Sequence, residues 1–418
     1  MNYLKKININ LLLALIIPLL IWGPFFPDLI VSLSSIFFLF YICKNKVFHY
    51  FTQTPLIIFF VFSIYCIFVS IFFASNIFMS FQSSLFYFRI GVFSCFIWYL
   101  IEQDKKILNY FYYALIISFS ALIVDGYIQF FVGKNTLGLH IGEHNRVSSF
   151  FADELIMGSY LSRLSPLLYA LFIVKEKKKL EVTLMLLFFI LVCGLILISG
   201  ERASFAFLIL SILFILLLTN KFLKFGLYFL LGSVTLIIML SLVSPTLKNR
   251  VFKEPFVSSG LQKKEEKKYI FTAHHDSLIR TAYKMFLDEP ITGHGPKMFR
   301  VICKDEKYAV SISPCMTHPH NFYIQLLAET GIIGFSFLFS VFIYVLYCAY
   351  RQFKSIVLRQ KRYLSDYQVC LLAGILITVW PITTNGNFFH NWLMIVYSLP
   401  VGFYLHSIYG KNKENISF

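Results

Sequence analysis

Long apolar stretches separated by short polar segments make up most of this chain. A helix needs roughly 20 mostly apolar residues to cross the hydrocarbon core of a membrane, which is about 30 Å thick. Backbone groups in lipid must be satisfied within their own segment, so these stretches are predicted to be helices rather than open strands. The pattern predicts twelve spans, at residues 7–22, 27–43, 55–74, 83–101, 107–131, 151–174, 180–198, 203–218, 222–243, 332–350, 369–382 and 388–408.

One long polar segment, residues 244–320, lies between the ninth and tenth predicted spans. It divides the chain into residues 1–243, with nine spans, the loop itself, and residues 321–418, with three spans. Hydrophobic residues make up 58% of the chain and charged residues 14%, whereas a soluble domain is about half apolar and about a quarter charged. The expected fold is an all-α polytopic membrane protein.

Lysine and arginine are concentrated in every second connection between the predicted spans. The two ends and one set of connections hold 19 of them, at positions 5, 6, 44, 46, 105, 106, 175, 177, 178, 179, 221, 224, 351, 354, 359, 361, 362, 411 and 413. The short connections of the other set hold three, Lys134, Arg146 and Arg202. Basic residues favour the cytoplasmic side, so both ends are predicted to be cytoplasmic and the loop to lie outside, in the periplasm of a cell with two membranes.

Three other features of the sequence narrow the choice of protein class. Lys5 and Lys6 precede the first apolar stretch as in a signal peptide, but no small-residue cleavage site follows, and an uncleaved first helix is expected. The net charge of +16 is explained by the membrane topology, and no nucleic-acid partner is expected. The chain has no internal repeat, which argues against a secondary transporter built from two related halves.

The polar loop is predicted to contain two short helices. The first has Asp276 as its N-cap and apolar residues at helical spacing, ends at Asp288-Glu289-Pro290, and is expected to lie along the membrane surface. The second runs from about residue 320 to residue 330. Gly331 and Gly334 then allow the chain to bend into the tenth span.

Three residues of the predicted outer face are candidates for phosphate binding or proton transfer. Arg202 lies in a very short connection beside Glu201, and Arg280 lies on the polar face of the first loop helix. Arginine binds phosphate oxygens through two parallel hydrogen bonds and keeps its charge. Arg202 is equally interpreted as a contact to lipid head groups, and Arg280 taken alone is better interpreted as a solvated or lipid-phosphate contact. His320 precedes a helix N-terminus, whose dipole disfavours the imidazolium form, and a neutral imidazole suits a general base.

The sequence lacks the motifs of several other sites. His274-His275 and His318-Pro319-His320 come without an HExxH motif or paired cysteines, so no metal site is expected. The outer loops contain no Asp-x-Asp motif and no glycine-rich phosphate loop, which argues against a nucleotide-sugar or ATP as substrate. Cys303 and Cys315 are the cysteines of the outer loop; they are either free or joined by a disulfide, which would stabilise the fold by about 3 kcal/mol.

The chain resembles the O-antigen ligase family in three stretches. They are Ser199-Gly200-Glu201-Arg202-Ala203-Ser204, residues 280–296, and residues 320–334, which contain His320-Asn321 and Glu329-Thr330-Gly331-Ile332-Ile333-Gly334. The predicted topology is also similar to that of the family, and Arg146 with the following Ser148-Ser149-Phe150-Phe151 resembles a further family stretch. Glu201 departs from the pattern, because it would pair with Arg202 and weaken phosphate binding.

The resemblance implies a metal-independent, inverting glycosyltransferase without a cofactor. Its donor would be a glycan on undecaprenyl pyrophosphate, its acceptor the lipid A–core oligosaccharide, and its location the bacterial inner membrane among membrane lipids. His320 would act as the base, while Arg202 and Arg280 would bind the pyrophosphate. Asn321, Glu329, Arg146 and Arg163 would support the site; Arg163, inside a predicted span, would line a lipid tunnel or pair with a buried carboxylate.

Three other functions remain open at the level of sequence. A polymerase of the same superfamily joins repeat units to one another, and a protein O-oligosaccharyltransferase uses a protein acceptor. Both would share the site and differ in the acceptor. A secondary transporter is less favoured, because the polar residues cluster at one face rather than near the bilayer midplane.

Overall fold

The computed structural model describes residues 8–142, 145–175, 178–219, 223–253, 269, 272–310 and 315–411. These residues are mainly helical, with isolated β-bridges at Lys134–His140 and Gly142–Arg146. The α-helices are α1 (Ile9–Ala14), α2 (Ile16–Leu19), α3 (Phe25–Asn45), α4 (Thr54–Phe72), α5 (Ile77–Ser84), α6 (Arg89–Gln103), α7 (Lys106–Val132), α8 (Met157–Val174), α9 (Lys179–Ile198), α10 (Arg202–Leu218), α11 (Leu223–Val243), α12 (Pro245–Phe252), α13 (Ala273–Asp288), α14 (Phe299–Ile302), α15 (Phe322–Val357), α16 (Asp366–Thr378) and α17 (Asn391–Tyr409).

The helices follow the apolar pattern of the sequence. In the described part of the chain, nine helical segments are long and apolar enough to cross a membrane, with α5 and α6 counted as one. Shorter apolar helices occupy Ile9–Trp22, Arg202–Leu218 and Asp366–Thr378, which are the first, eighth and eleventh predicted stretches. The all-α polytopic fold is thereby confirmed, and the number of spans stays a prediction.

The helices form an inner group surrounded by an outer group. In the most apolar window of α8, 83% of the residues are buried, against 78% for α17 and 22% for α15. Helix α17 packs against α6, and α16 packs against α8, around large buried rings such as Trp98 and Phe403. The outer helices expose large apolar side chains such as Phe40 and Leu242, which is the expected surface for contact with lipid.

Connections and helix ends that the charge pattern assigns to the same face contact one another. In one set, Arg146 Nε donates to Ser199 O at 2.8 Å, and the Asn385 N–H donates to His320 O at 2.8 Å. In the other set, Gln368 Nε2 near the start of α16 donates to Ser407 O near the end of α17 at 2.8 Å. The first set contains the long loop and the residues singled out from the sequence, so these lie at one face of the helix bundle.

Helix α13 begins three residues before Asp276, the predicted N-cap. The cap is Thr272, whose Oγ1 accepts a hydrogen bond from the His275 N–H at 3.2 Å. Asp276 instead forms an ion pair with Arg280 one turn later, Nε to Oδ2 2.7 Å. The prediction of the cap was wrong because Thr272 caps the helix and Asp276 lies inside its first turn.

The apolar face of α13 packs on a core of the loop itself. Leu278, Ala282 and Met285 are buried against a group formed by Phe299, Cys303, Tyr308 and Ala328. Tyr283 and Leu287 remain exposed on the same helix, and its placement along the membrane surface stays a prediction. The loop helix is thus fixed to α14 and to the first part of α15.

Helix α15 is bent at Gly331, as the sequence predicted. Gly331 has φ 61° and ψ −166°, a conformation that residues with a side chain avoid. A methyl group at its Cβ position would lie 2.1 Å from Ile291 O. The Ile332 N–H donates to Pro290 O at 2.9 Å, so the bend also holds the end of α13. The first part of α15, which begins at Phe322, is thereby set apart from its long apolar remainder.

Candidate active site around His320

The His320 side chain is packed between two other imidazole rings. Its ring centroid lies 4.1 Å from that of His318 and 5.1 Å from that of His275. Burial, followed by the charge that His275 would carry, lowers the pKa of His320 to about 4. The ring is therefore neutral at pH 7 and able to accept a proton, for a reason that differs from the helix dipole invoked from the sequence.

His318 fastens this segment to the connection between α16 and α17, residues 379–390. Its Nε2 lies 3.2 Å from Asn385 O, and because a carbonyl can only accept, this nitrogen carries the proton. Nδ1 then accepts from Thr317 Oγ1 at 2.8 Å. Asn385 also donates its backbone N–H to His320 O at 2.8 Å, so one residue holds both histidines.

Asn321 and Glu329 are hydrogen-bonded to backbone groups. Asn321 Oδ1 caps α15 at the N–H groups of Tyr323 and Ile324, while Nδ2 donates to Pro381 O at 2.8 Å. Glu329 is fully buried and accepts from the Phe299 N–H at 3.1 Å and from Gln325 Nε2 at 2.9 Å. These contacts position the two helices beside His320.

Arg163 lies in the interior of the bundle, on α8. Its guanidinium stacks between the rings of Phe207 and Tyr397, with centroid distances of 4.4 and 4.5 Å. Nη2 donates to Asn385 Oδ1 at 2.9 Å, and Nε donates to Ser159 Oγ at 3.3 Å. An amide, rather than the carboxylate considered from the sequence, thus accepts from Arg163, and through Asn385 the cation supports His320.

Arg202 is exposed at the first position of α10, after the short connection at residues 199–201. The carboxylate of Glu201 accepts from the N–H groups of Gly158 and Ser159 at 2.6 and 2.8 Å, and from Ser204 Oγ at 2.9 Å. Burial raises the pKa of Glu201, while these bonds lower it. The carboxylate that was expected to weaken phosphate binding at Arg202 therefore ties α10 to the start of α8.

Arg146 and Arg280 differ in their surroundings. Arg146 is half-buried beside the 199–201 connection, and its burial lowers its pKa. Arg280 is on the solvated side of α13, where its side chain is 59% exposed and paired with Asp276. The same helix contributes His275, rather than Arg280, to the surroundings of His320.

A continuous path of contacts joins Arg146, which lies beside the connection at residues 199–201, to the histidines. It runs from Arg146 through Ser199 and Glu201 to Ser159, and then through Arg163 and Asn385 to His318 and His320. Arg280 is outside this path. The structure thus unites most of the predicted site residues at one face of the bundle.

Sequence reasoning missed the contribution of residues 379–390. Besides Asn385, this connection provides Asn387, whose Oδ1 accepts from Gln325 Nε2 at 3.0 Å. The signal available in the sequence was the polar run Thr383-Thr384-Asn385-Gly386-Asn387 between two apolar stretches. Its partners lie far away along the chain, and for that reason the run alone did not reveal them.

Cys303 and Cys315 form a disulfide, with their Cα atoms 5.3 Å apart. The bridge links the end of α14 to the segment that leads into His318 and His320. Within the residues that the structure describes, no group of three or more His, Cys, Asp or Glu side chains is arranged to hold a metal ion.

Residues 184–339 match the model of the O-antigen ligase family. The match covers 156 of the 418 residues, so it shows a similarity to O-antigen ligases over this segment. The matched segment contains Arg202, Arg280 and His320, whereas Arg146 and Arg163 precede it. No curated protein is similar enough to the chain to count as a match.

Proposed function

We propose that the protein transfers a glycan from undecaprenyl pyrophosphate to the lipid A–core oligosaccharide at the periplasmic face of the inner membrane. One observation carries the proposal: a neutral, partly buried His320 lies at the end of a path of contacts that leads to Arg146, beside the connection after which Arg202 begins α10. A base and fixed cations at one face are what transfer from a pyrophosphate requires.

In the proposed reaction, His320 takes the proton from an acceptor sugar hydroxyl. The hydroxyl oxygen attacks the anomeric carbon, and the bond from that carbon to the pyrophosphate oxygen breaks. The pyrophosphate leaves with the electron pair, and Arg202 and Arg280 stabilise its charge. In this scheme the pyrophosphate replaces Asp276 as the partner of Arg280. A single displacement inverts the configuration of the anomeric carbon.

The test replaces His320, Arg202 and Arg280 by alanine, one at a time, in the native strain. We expect normal protein levels, lipid A–core without long polysaccharide, and accumulated lipid-linked glycan. Transfer by the His320→Ala protein should fall by about 100-fold or more, because a positioned base contributes at least that factor. The readouts are gel analysis of lipopolysaccharide and extraction of the lipid carrier.

Matched controls are His140→Ala and Arg359→Ala, which remove an exposed histidine and an exposed arginine away from the site. Both should retain normal lipopolysaccharide. Normal lipopolysaccharide in the His320→Ala strain would refute the proposal. A single repeat unit still attached to the core would instead identify the protein as a polymerase.

A further inference from the structure

The turn at residues 293–298, between α13 and α14, is pressed against the first part of α15. The Gly295 N–H donates to Glu329 O at 2.8 Å. Gly293 has φ 67°, and a methyl group at its Cβ position would lie 2.5 Å from the carbonyl carbon of Glu329. A glycine therefore permits the close approach of the two backbones, and the turn has a fixed position relative to α15.

Lys297 belongs to this turn, and Arg300 follows it in the first turn of α14. Lys297 has φ 63°, a left-handed conformation that is uncommon for a residue with a side chain and that is often found where a ligand binds. Both residues are half-buried, and burial, followed by the charge of Arg300, lowers the pKa of Lys297. The two cations are therefore close enough to repel each other.

Among the residues that the structure describes, none forms a side-chain hydrogen bond or an ion pair with Lys297 or Arg300. The Arg300 Nε is buried, again with no acceptor in the described part of the chain. Glu329 opposes the effect of burial on the pKa of Lys297, and so one carboxylate acts on the pair without contact. A buried donor that lacks an acceptor is costly, and a further anion would stabilise both cations.

Hydrogen bonds tie the start of α14 to the connection at residues 379–390, which also holds the histidines. The Phe299 N–H donates to Glu329 Oε1 at 3.1 Å. Gln325 Nε2 donates to Glu329 Oε2 at 2.9 Å and to Asn387 Oδ1 at 3.0 Å. The backbone that carries the two cations is thereby fixed relative to the candidate active site.

The electrostatic effects on the histidines agree with this placement. After burial, the charges of Lys297 and Arg300 contribute to the lowered pKa of His390. The charge of Arg300 also contributes, after burial and the neighbouring His320, to the lowered pKa of His318. The cations and the histidines therefore form one group of side chains.

A phosphate group is the anion that best suits such a pair of cations. A phosphate monoester carries about −1.5 to −2 charges near pH 7 and three acceptor oxygens, so it can bind an ammonium and a guanidinium at once. In the proposed reaction Arg202 and Arg280 bind the donor, and His320 contacts the hydroxyl of the acceptor. An anion beside the histidines then belongs to the acceptor.

We propose that Lys297 and Arg300 bind a phosphate group of the acceptor and thereby direct its reacting hydroxyl towards His320. The inference rests on the proposed function and deepens it, because it adds a requirement for a phosphorylated acceptor. Both residues bind substrate, and neither exchanges a proton or forms a covalent bond. An acceptor without phosphate is accordingly a poorer substrate.

The experiment uses the full-length protein in nanodiscs of a zwitterionic lipid, with lipid A–core as acceptor and a lipid-linked glycan as donor. We expect Lys297→Gln and Arg300→Gln each to raise the acceptor KM by about tenfold or more, the range for losing a hydrogen bond to a charged group. The donor KM should stay at the wild-type value. Lys304→Gln removes an exposed lysine just after α14 and should match wild type in both constants.

A second acceptor, lipid A–core from which phosphatase has removed the phosphate groups, tests the chemistry of the ligand. Wild type should have a lower KM for the native acceptor than for the dephosphorylated one. This preference should disappear in Arg300→Gln and return in part in Arg300→Lys. A wild-type protein that uses both acceptors equally well would overturn the inference.

Other sources of the anion give different results. A raised donor KM with an unchanged acceptor KM would assign the anion to the donor. An effect of Lys297→Gln that appears only when the nanodiscs contain an anionic lipid would assign it to a lipid head group. Either result would overturn the inference.

Binding of fluorescently labelled lipid A–core without donor gives a measurement that does not depend on turnover. Its affinity should fall for Lys297→Gln and Arg300→Gln and stay unchanged for Lys304→Gln. Thermal unfolding of each variant shows whether the cations only stabilise the turn. A lowered melting temperature together with wild-type affinity for the acceptor would contradict a binding role.

The two proposals fail in different ways. If His320→Ala abolishes transfer while Lys297→Gln and Arg300→Gln keep the wild-type acceptor KM, only the role of these cations is wrong. If the wild-type protein transfers no glycan to lipid A–core, the proposed function is wrong. Binding of the native and dephosphorylated forms without donor then still decides whether Lys297 and Arg300 form a phosphate site.

Discussion

At the scale of single residues, the burial and the neighbours of each titratable group determine its pKa and so its charge at neutral pH. His275, His318 and His320 are in mutual reach, and their pKa values are all lowered, first of all by burial. None of the three then carries a charge at neutral pH, so under the proposed function His320 could accept a proton. This burial could not be predicted from the sequence, because it arises from residues 272–275 and 385 packing around position 320.

The lowered pKa of His320 predicts an unusual pH dependence. A base is active in its neutral form, so activity is lost as the pH falls through the pKa of that base. We expect kcat/KM to stay constant from pH 8 to about pH 5 and to fall around pH 4, rather than around the ordinary histidine value of 6.5. Rates over this range, with a constant-ionic-strength buffer, check the prediction.

A low pH also destabilises the fold, so the control must separate protonation of the base from unfolding of the protein. Between about pH 6.5 and 4 the unfolded chain binds more protons at these histidines than the folded protein does, so stability decreases as the pH falls. Samples held at low pH and returned to pH 7 should recover full activity. A midpoint near 6.5 with full recovery would contradict the assignment of a buried base.

At the scale of helices and turns, the sequence pattern predicted some features that depend on residues close together in the chain. The bend at Gly331 followed from its place between a polar helix and an apolar stretch, and it is confirmed. The N-cap of α13 was misplaced because Thr272 caps the helix and Asp276 lies inside its first turn. The link between Arg163 and Asn385 could not be foreseen, since these residues are 222 positions apart and meet only after the bundle has formed.

Replacement of Gly331 by alanine should weaken both the fold and the reaction. The residue has φ 61°, and a Cβ would lie 2.1 Å from Ile291 O. Such backbone strain costs about 1–3 kcal/mol, and relieving it would move the first part of α15, which carries Asn321 and Glu329. We expect a lower melting temperature in detergent and reduced transfer.

Gly374→Ala is the matched control, because the nearest atom to its Cβ position is 3.5 Å away. This variant adds the same methyl group to a helix with room for it, and it should behave like wild type. Wild-type stability of Gly331→Ala would show that α15 does not need its bend.

At the scale of the whole molecule, the two sets of connections give the bundle two distinct faces. The residues discussed for catalysis come from connections that are far apart in sequence but belong to the same set. The other set holds most of the short-loop lysine and arginine residues, and this asymmetry predicts which face is cytoplasmic. Alternation along the chain was sufficient for this prediction, because each span reverses the direction of the backbone.

Labelling of single cysteines tests the predicted orientation. Leu137→Cys and Gln360→Cys place exposed thiols on the two faces, in a Cys43→Ser background that removes the exposed free cysteine among the described residues. A membrane-impermeant maleimide should label position 137 in intact spheroplasts and position 360 only after permeabilisation. The reverse pattern would place the histidines on the cytoplasmic side.

The hydrogen bonds that Asn385 forms with His318 and His320 have a consequence for biosynthesis. Asn385 is translated 67 residues after His318, so for that interval the nascent polypeptide carries its histidines without their anchor. Before Asn385 has been added, the contacts that hold His318 and His320 cannot form. Under the proposed function, a chain that is still being synthesised would therefore lack an ordered base.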